Sequence, residues 1–144
     1  LGVIPKAAAG IPAEEELRDP RSPRSESYRS LCTSLQFATD HGLPRTLSLT
    51  SGGPGEGKST TALAIAQHFA RMGLKVLLID ADLRNPSLHK KINIENSVGL
   101  SNYLTGGCSP PDAFQKTDLP NLAVMVSGPL PTPRTSWPVR GCCH

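Results

Sequence analysis

The stretch Gly52-Gly53-Pro54-Gly55-Glu56-Gly57-Lys58-Ser59 satisfies Gly-x-x-x-x-Gly-Lys-[Ser/Thr], and no other feature of the chain narrows its fold as much. A loop of this composition works between a strand that delivers it and a helix that it opens. Both flanks agree. Residues 46–50 read Thr-Leu-Ser-Leu-Thr, a strand-like run, and residues 58–72 place Ala62, Leu63, Ala66, Phe69 and Ala70 on one helical face. Gly73 supplies the helix stop, and Val76-Leu77-Leu78-Ile79 is an unbroken apolar run of the kind buried on both faces. Strand, helix and strand at this spacing predict a right-handed βαβ unit and hence a parallel sheet.

The chemistry follows from the backbone. Glycines let the chain curl until successive N–H groups face inward around phosphate oxygens, and the following helix adds the positive end of its dipole. Gly53, Pro54, Gly55, Glu56, Gly57, Lys58, Ser59 and Thr60 are therefore the candidate phosphate-binding residues. Lys58 is expected to reach the β- and γ-phosphates, and the Ser59 hydroxyl to ligate Mg²⁺. The bland alternative is a glycine-rich turn that holds nothing; its position after a strand run and before a helix argues against that. The expected fold class is α/β, a P-loop NTPase-type parallel sheet with flanking helices, which the family resemblance drawn below implies to be incomplete at the C-terminus.

Asp80-Ala81-Asp82 ends the second predicted strand. Ligands of open parallel sheets bind at that carboxyl edge, where the phosphate loop also leaves its strand. Two carboxylates two residues apart suit a metal–phosphate site, one holding Mg²⁺ and the other accepting a proton from a hydroxyl. The competing reading is an acidic strand end that caps the next turn, common for Asp near a pair such as Asn85-Pro86.

The rest of the chain sets limits. Its 144 residues allow one modest domain, and 38% hydrophobic with 19% charged residues suits a globular chain. Fourteen prolines gather toward the ends, so residues 1–24 read as a linker, and after Gly128 order fades into Pro, Arg, Ser and Thr; the resemblance drawn below sets the domain at 25–131 and a non-family tail at 132–144. In residues 25–40, Tyr28, Leu31, Leu35 and Ala38 recur at helical spacing, capped by Ser22 or Ser25 and ended by Gly42-Leu43-Pro44. Leu100 to Leu104 suggests a short helix and Leu122 to Val126 a further strand. A net charge of +3 is too small to argue for nucleic acid. Cys32, Cys108, Cys142 and Cys143 contain no C-x-x-C pair, so free thiols are expected, and no apolar run spans a membrane.

Gly55-Glu56-Gly57-Lys58-Ser59-Thr60, followed by Val76-Leu77-Leu78-Ile79-Asp80-Ala81-Asp82-Leu83-Arg84, resembles the bacterial tyrosine kinases of capsule and exopolysaccharide biosynthesis. Leu1-Gly2-Val3-Ile4-Pro5, Asp19-Pro20-Arg21-Ser22-Pro23, Gly99-Leu100-Ser101-Asn102-Tyr103-Leu104 and Gly128-Pro129-Leu130-Pro131 extend the resemblance over residues 1–131. It implies a deviant P-loop ATPase fold, ATP with Mg²⁺, and transfer to tyrosine. Lys58 then contacts phosphate, Ser59 and Asp80 serve the metal, and Asp82 serves both as a metal-site carboxylate and as base for the tyrosine hydroxyl. An inner-membrane chain-length regulator is the implied partner, and the cytoplasmic face of that membrane the implied location. The partitioning and cell-division ATPases are the nearest alternative, but they carry an early lysine that Ser51-Gly52-Gly53-Pro54 lacks. A nucleotide-binding module without catalysis is the other.

Three departures qualify the resemblance. The kinases' oligomerisation motif Glu-x-x-Arg-x-x-Arg is met by Glu26 and Arg29, but Cys32 replaces its last arginine, so self-association is expected to weaken. No third acidic strand (Walker B) and no tyrosine cluster follows Val126; the tyrosines are Tyr28 and Tyr103. From Thr132 the resemblance stops. With freely chosen codons the tail, read one frame over, gives Pro-Ala-Asp-Leu, so a frameshift is expected there. Weak stability and little kinase turnover are expected of this chain by itself.

Overall fold

The structure is a computed structural model that describes residues 13–53 and 57–130. It divides into two units, the first up to Val76 and the second from Leu77.

In the first unit, helix α1 (Ala13–Glu16) precedes two longer helices, α2 (Pro23–Gln36) and α3 (Lys58–Arg71). Proline opens α2 because N1 is the helical position where its missing N–H goes unmissed, and Ser22 caps the end by accepting from the Ser25 amide at 3.1 Å. Helix α2 thus starts two residues earlier than predicted and ends at Gln36 rather than near Asp40. Gly42, at a φ of 85°, makes the turn beyond it, with its amide on the Thr39 carbonyl. Helix α3 stops as Gly73 predicts. That residue takes a φ of 90°, Leu74 N–H reaches the Phe69 carbonyl at 3.1 Å, and Gly73 N–H reaches Ala70 at 3.0 Å, a Schellman ending.

Helices α2 and α3 lie side by side in the same sense. Tyr28 meets Thr61 near their starts, Cys32 packs with Ile65 and Phe69 at mid-length, and Gln36 reaches Met72 at their ends. Leu31, Leu35, Leu43, Leu49 and Val76 close around the Cys32 cluster. Cys32 is fully buried, and burial pushes its thiol up to about 11, so it stays protonated and inert. Cys32 and Cys108 are free thiols.

The predicted linker is partly a packed element. Leu17 is buried with Tyr28 and Ala64, Glu16 pairs with Arg24 at 3.3 Å, and the Ser22 hydroxyl donates to the Glu16 carbonyl. Proline density excludes a long helix here, as argued, but not one turn anchored by a leucine. Residues 1–12 and 131–144 lie outside the described residues, as do the expectations placed on them.

Residues 46–50, predicted as a strand, form no ladder among the described residues. Leu49 packs on the Cys32 cluster while Leu47, two residues earlier and on the same face if the run were a regular strand, is 42% exposed. Local preference does not make a ladder; a partner backbone does.

His68 on α3 has its pKa lowered by desolvation, and further by Arg29 and Arg71. The unfolded chain therefore takes up this proton first. Stability is complete above the ordinary histidine value of about 6.5 and is lost as pH falls below it toward the folded value. Thermal melts between pH 7.5 and 5 are expected to show that loss, and His68→Gln to flatten it; identical slopes would remove the assignment.

A three-stranded sheet in the order β1-β3-β2 is formed by β1 (Val76–Ile79), which starts at the last residue of the first unit, β2 (Gln115–Lys116) and β3 (Leu122–Met125). Helices α4 (Leu88–Lys91), α5 (Leu100–Leu104) and α6 (Pro110–Ala113) lie between β1 and β2. Strand β2 runs antiparallel to β3, Gln115 opposite Val124, because the connection between them is too short for a crossover. The β2–β3 pair is thus antiparallel where the sequence predicts a parallel sheet. Strand β3 is the buried one. Strand β1 is not buried on both faces as predicted, since Leu77 and Ile79 are 42% and 46% exposed.

Candidate nucleotide-binding site

The phosphate loop enters helix α3 through Gly57, whose φ of 81° is left-handed. A Cβ there would meet open space, so it is the backbone angle that demands glycine. The Gly57 carbonyl accepts the first α-helical bond, from Thr61 at 2.8 Å. The amides of Lys58, Ser59 and Thr60 thus occupy the turn of a helix that has no acceptor of its own within that helix. Lys58 and Ser59 are half-buried and Thr60 is buried. Upstream, the Ser51 hydroxyl donates to the Gly53 carbonyl at 3.0 Å. Gly57, Lys58, Ser59 and Thr60 stand at the start of α3; Gly53 lies upstream beside Ser51, and Pro54, Gly55 and Glu56 lie outside the described residues.

One contact here was not anticipated. The Tyr28 hydroxyl lies 3.3 Å from Thr61 Oγ1, tying the first turn of α3 to α2, while the Tyr28 ring sits on Leu17 and Ala64. A tyrosine at an otherwise apolar helix position was the available signal, because a buried phenol needs a polar partner.

In the second unit, Asp80 follows β1 and is 8% exposed. Its amide donates to the Met125 carbonyl at 2.9 Å, continuing the pairing of β1 with β3. Its carboxylate is engaged at both oxygens: Oδ1 accepts from the Asp82 amide at 3.1 Å and Oδ2 from the Leu88 amide at 3.2 Å. Asp82 Oδ1 in turn accepts from the Asn85 amide at 3.1 Å. The turn-capping reading of these acids is therefore correct as local structure. It does not displace the metal reading, because a carboxylate has about four lone-pair sites and each bond uses one. Oxygen donors of this kind suit a hard cation such as Mg²⁺. Among the described residues no cluster of three or more His, Cys, Asp or Glu side chains is assembled.

The blocks around Gly99 and Gly128 proved to be one assembly. Leu100 N–H and Ser101 N–H donate to the Val126 and Ser127 carbonyls, each at 2.8 Å, and Asn102 Oδ1 accepts from Gly99 N–H at 2.9 Å. The Ser101 hydroxyl reaches the Pro129 carbonyl at 2.7 Å.

Comparison with known proteins agrees with this geometry. Residues 47–125 match the CobQ/CobB/MinD/ParA nucleotide binding domain. The tyrosine-protein kinase YwqD of Bacillus subtilis is 44% identical over 115 residues, covering 80% of this chain and 48% of its own. The tyrosine-protein kinase CpsD of Streptococcus pneumoniae is 40% identical over 111 residues, covering 74% and 48%. The chain thus spans about half the length of the curated relatives it matches. Among solved structures, the kinase domain of the Escherichia coli tyrosine kinase ETK superposes with a TM-score of 0.72 at 30% identity, over 92% of this chain and 51% of that one. The septum site-determining protein MinD of Pyrococcus horikoshii, complexed with Mg-ADP, gives 0.52 at 26% identity, over 60% and 35%. This chain belongs to the CobQ/CobB/MinD/ParA nucleotide-binding family and is similar to bacterial tyrosine-protein kinases.

Proposed function

We propose that this chain is the ATP-binding portion of a protein-tyrosine kinase that regulates capsule or exopolysaccharide synthesis. The observation that carries the reading is the phosphate loop: Gly57 in the left-handed conformation opens α3 directly at Lys58 and Ser59, in a chain 44% identical to a tyrosine kinase. Gly53, Pro54, Gly55, Glu56, Gly57, Lys58, Ser59 and Thr60 hold the phosphates, with Lys58 neutralising the transferred group. Ser59, Asp80 and Asp82 would hold Mg²⁺, which would supply charge neutralisation on the phosphates. In the transfer, the γ-phosphorus–oxygen bond to ADP breaks, a bond to the tyrosine oxygen forms, and Asp82 takes the phenolic proton.

The partner we propose is an inner-membrane chain-length regulator, with the kinase at the cytoplasmic face; among the described residues no helix is long and apolar enough to cross a membrane. Glu26 and Arg29 are exposed on α2 and available for self-association, with Arg29 also donating to the Pro20 carbonyl at 3.2 Å. Cys32 faces the core instead, so the third position of that motif offers no contact to a second copy. Residues 1–24 connect to that partner, residues 25–131 form the kinase portion, and residues 132–144 lie outside the homologous frame; the coding sequence at codon 132 tests the last point.

A second reading, nucleotide binding without transfer, is favoured by one observation. The only acids after Asp82 are Glu95, Asp112 and Asp118, none of them ending a predicted apolar strand. Incubating the purified chain with ATP and Mg²⁺ separates the two readings. Saturable binding with little phosphotyrosine is expected of this chain alone, and robust turnover would overturn that expectation while upholding the kinase reading. An absence of binding would remove both.

A further inference from the structure

Asp80 sits in a closed circuit of hydrogen bonds, and the residue that closes it is Asn96. In one direction the circuit leaves through the side chain: Asp80 Oδ2 accepts the Leu88 amide at 3.2 Å, which pins the start of α4. That helix ends in a tight stop, with Asn93 at a φ of 54° and Ile94 N–H on the His89 carbonyl at 3.0 Å. The chain then arrives at Asn96, whose Oδ1 accepts from Gly128 N–H at 2.8 Å and from the Ser127 hydroxyl at 3.3 Å. Its Nδ2 donates to the Gly128 carbonyl at 3.1 Å. From Gly128 the path runs back along Ser127 and Val126, both fully buried, to Met125. The Met125 carbonyl takes the Asp80 amide at 2.9 Å, and the circuit is complete.

An asparagine side chain carries the same donor and acceptor pair as a peptide group, so Asn96 binds Gly128 as a neighbouring strand would, through both N–H and C=O. Aspartate in its place would lose the donor, and shorter residues would not reach. Without that clasp, the far end of the loop from Asp80 to Asn96 loses three hydrogen bonds to the exit of β3 and keeps the longer Gln115 Nε2 bond to the Glu95 carbonyl at 3.3 Å, so the amide that orients Asp80 Oδ2 gains freedom to move with it. We infer that Asn96 is a positioning residue for Asp80: by locking the loop that carries Leu88 onto the exit of β3, it fixes the direction in which the carboxylate meets the metal. The inference rests on the proposed metal role of Asp80. Groups that orient a metal-holding carboxylate affect metal affinity without touching the ion.

The test uses the purified 144-residue chain, a fluorescent ATP analogue and a Mg²⁺ titration, with melting temperature read in parallel. Asn96→Ala is expected to raise the Mg²⁺ midpoint about 5- to 10-fold, toward the range seen when second-layer partners of metal sites are removed. Thr117→Val serves as the destabilised control. It loses the Thr117 hydroxyl's bond to the Leu122 carbonyl, 2.9 Å long and outside the circuit, and should leave the midpoint within about twofold at a comparable loss of stability. An Asn96→Ala midpoint within twofold of the parent overturns the positioning role alone, whereas a parent chain whose analogue binding ignores Mg²⁺ removes the metal role of Asp80 as well. Hydrogen exchange on the parent chain gives a readout that does not depend on a folded variant. The Asp80, Leu88 and Gly128 amides should open with one common free energy, and Gly128 opening independently of Leu88 would contradict the circuit.

Discussion

Gly99→Ala is expected to cost about 3–5 kcal/mol, enough to lower the melting temperature by roughly 10 °C or to leave the chain insoluble. The cause is space and not backbone angle, since Gly99 is extended, with a φ of −171°. A Cβ there would collide with the Val126 carbonyl oxygen and stand 2.6 Å from Gly128 N and 2.7 Å from Val126 C. All three are backbone atoms that cannot swing aside. Relief requires α5 to withdraw from β3, and that breaks the Leu100 and Ser101 bonds to Val126 and Ser127. Gly106→Ala is the matched control: it has a φ of 77° but nothing within 4 Å of its Cβ, so it should cost only about 1 kcal/mol of left-handed strain. Equal losses in the two variants, measured by thermal or urea unfolding, would show that the close approach at Gly99 is not what holds the segment.

Asp80→Ala is expected to destabilise by about 2–5 kcal/mol, independently of any ligand, because it strips acceptors from the Asp82 and Leu88 amides. The Leu88 bond is buried, so water cannot substitute for it without local opening. Asp80→Asn keeps one acceptor oxygen and recovers part of that loss, yet it removes the negative charge. Melting temperature should rank parent above Asn above Ala, while Mg²⁺-dependent nucleotide binding falls in both variants alike. If Asp80→Asn kept full Mg²⁺ dependence, the residue would be a turn cap only. The two roles are separable because capping uses geometry and metal binding uses charge.

These cases show which parts of the molecule the residues disclose directly. The loop-to-helix junction at Gly57, the α3 helix with its Gly73 stop, and the apolar runs of β1 and β3 were legible because each is a local pattern: a left-handed glycine, a period near 3.6, a continuous hydrophobic stretch. The run at 46–50 has the composition of a strand but no described partner, and pairing is not a local property. Leu17 was hidden among prolines and charges, and only the packing against Tyr28 and Ala64 reveals it as an anchor. Asp80 was legible as an acid at a strand end, but its two amide partners depend on how residues 82–88 turn back. Asn96 gave no signal at all, since its partner lies 32 positions away at Gly128.

Calorimetric titration of a non-hydrolysable ATP analogue into the purified chain bears most directly on the phosphate loop. Saturable, Mg²⁺-dependent binding at one site is predicted, weakened about 10- to 100-fold by Lys58→Ala, the loss expected when a charge-assisted contact to phosphate is removed. No heat of binding in the parent chain, or an affinity that Lys58→Ala leaves unchanged, would contradict the assignment of residues 53–60 as a nucleotide site.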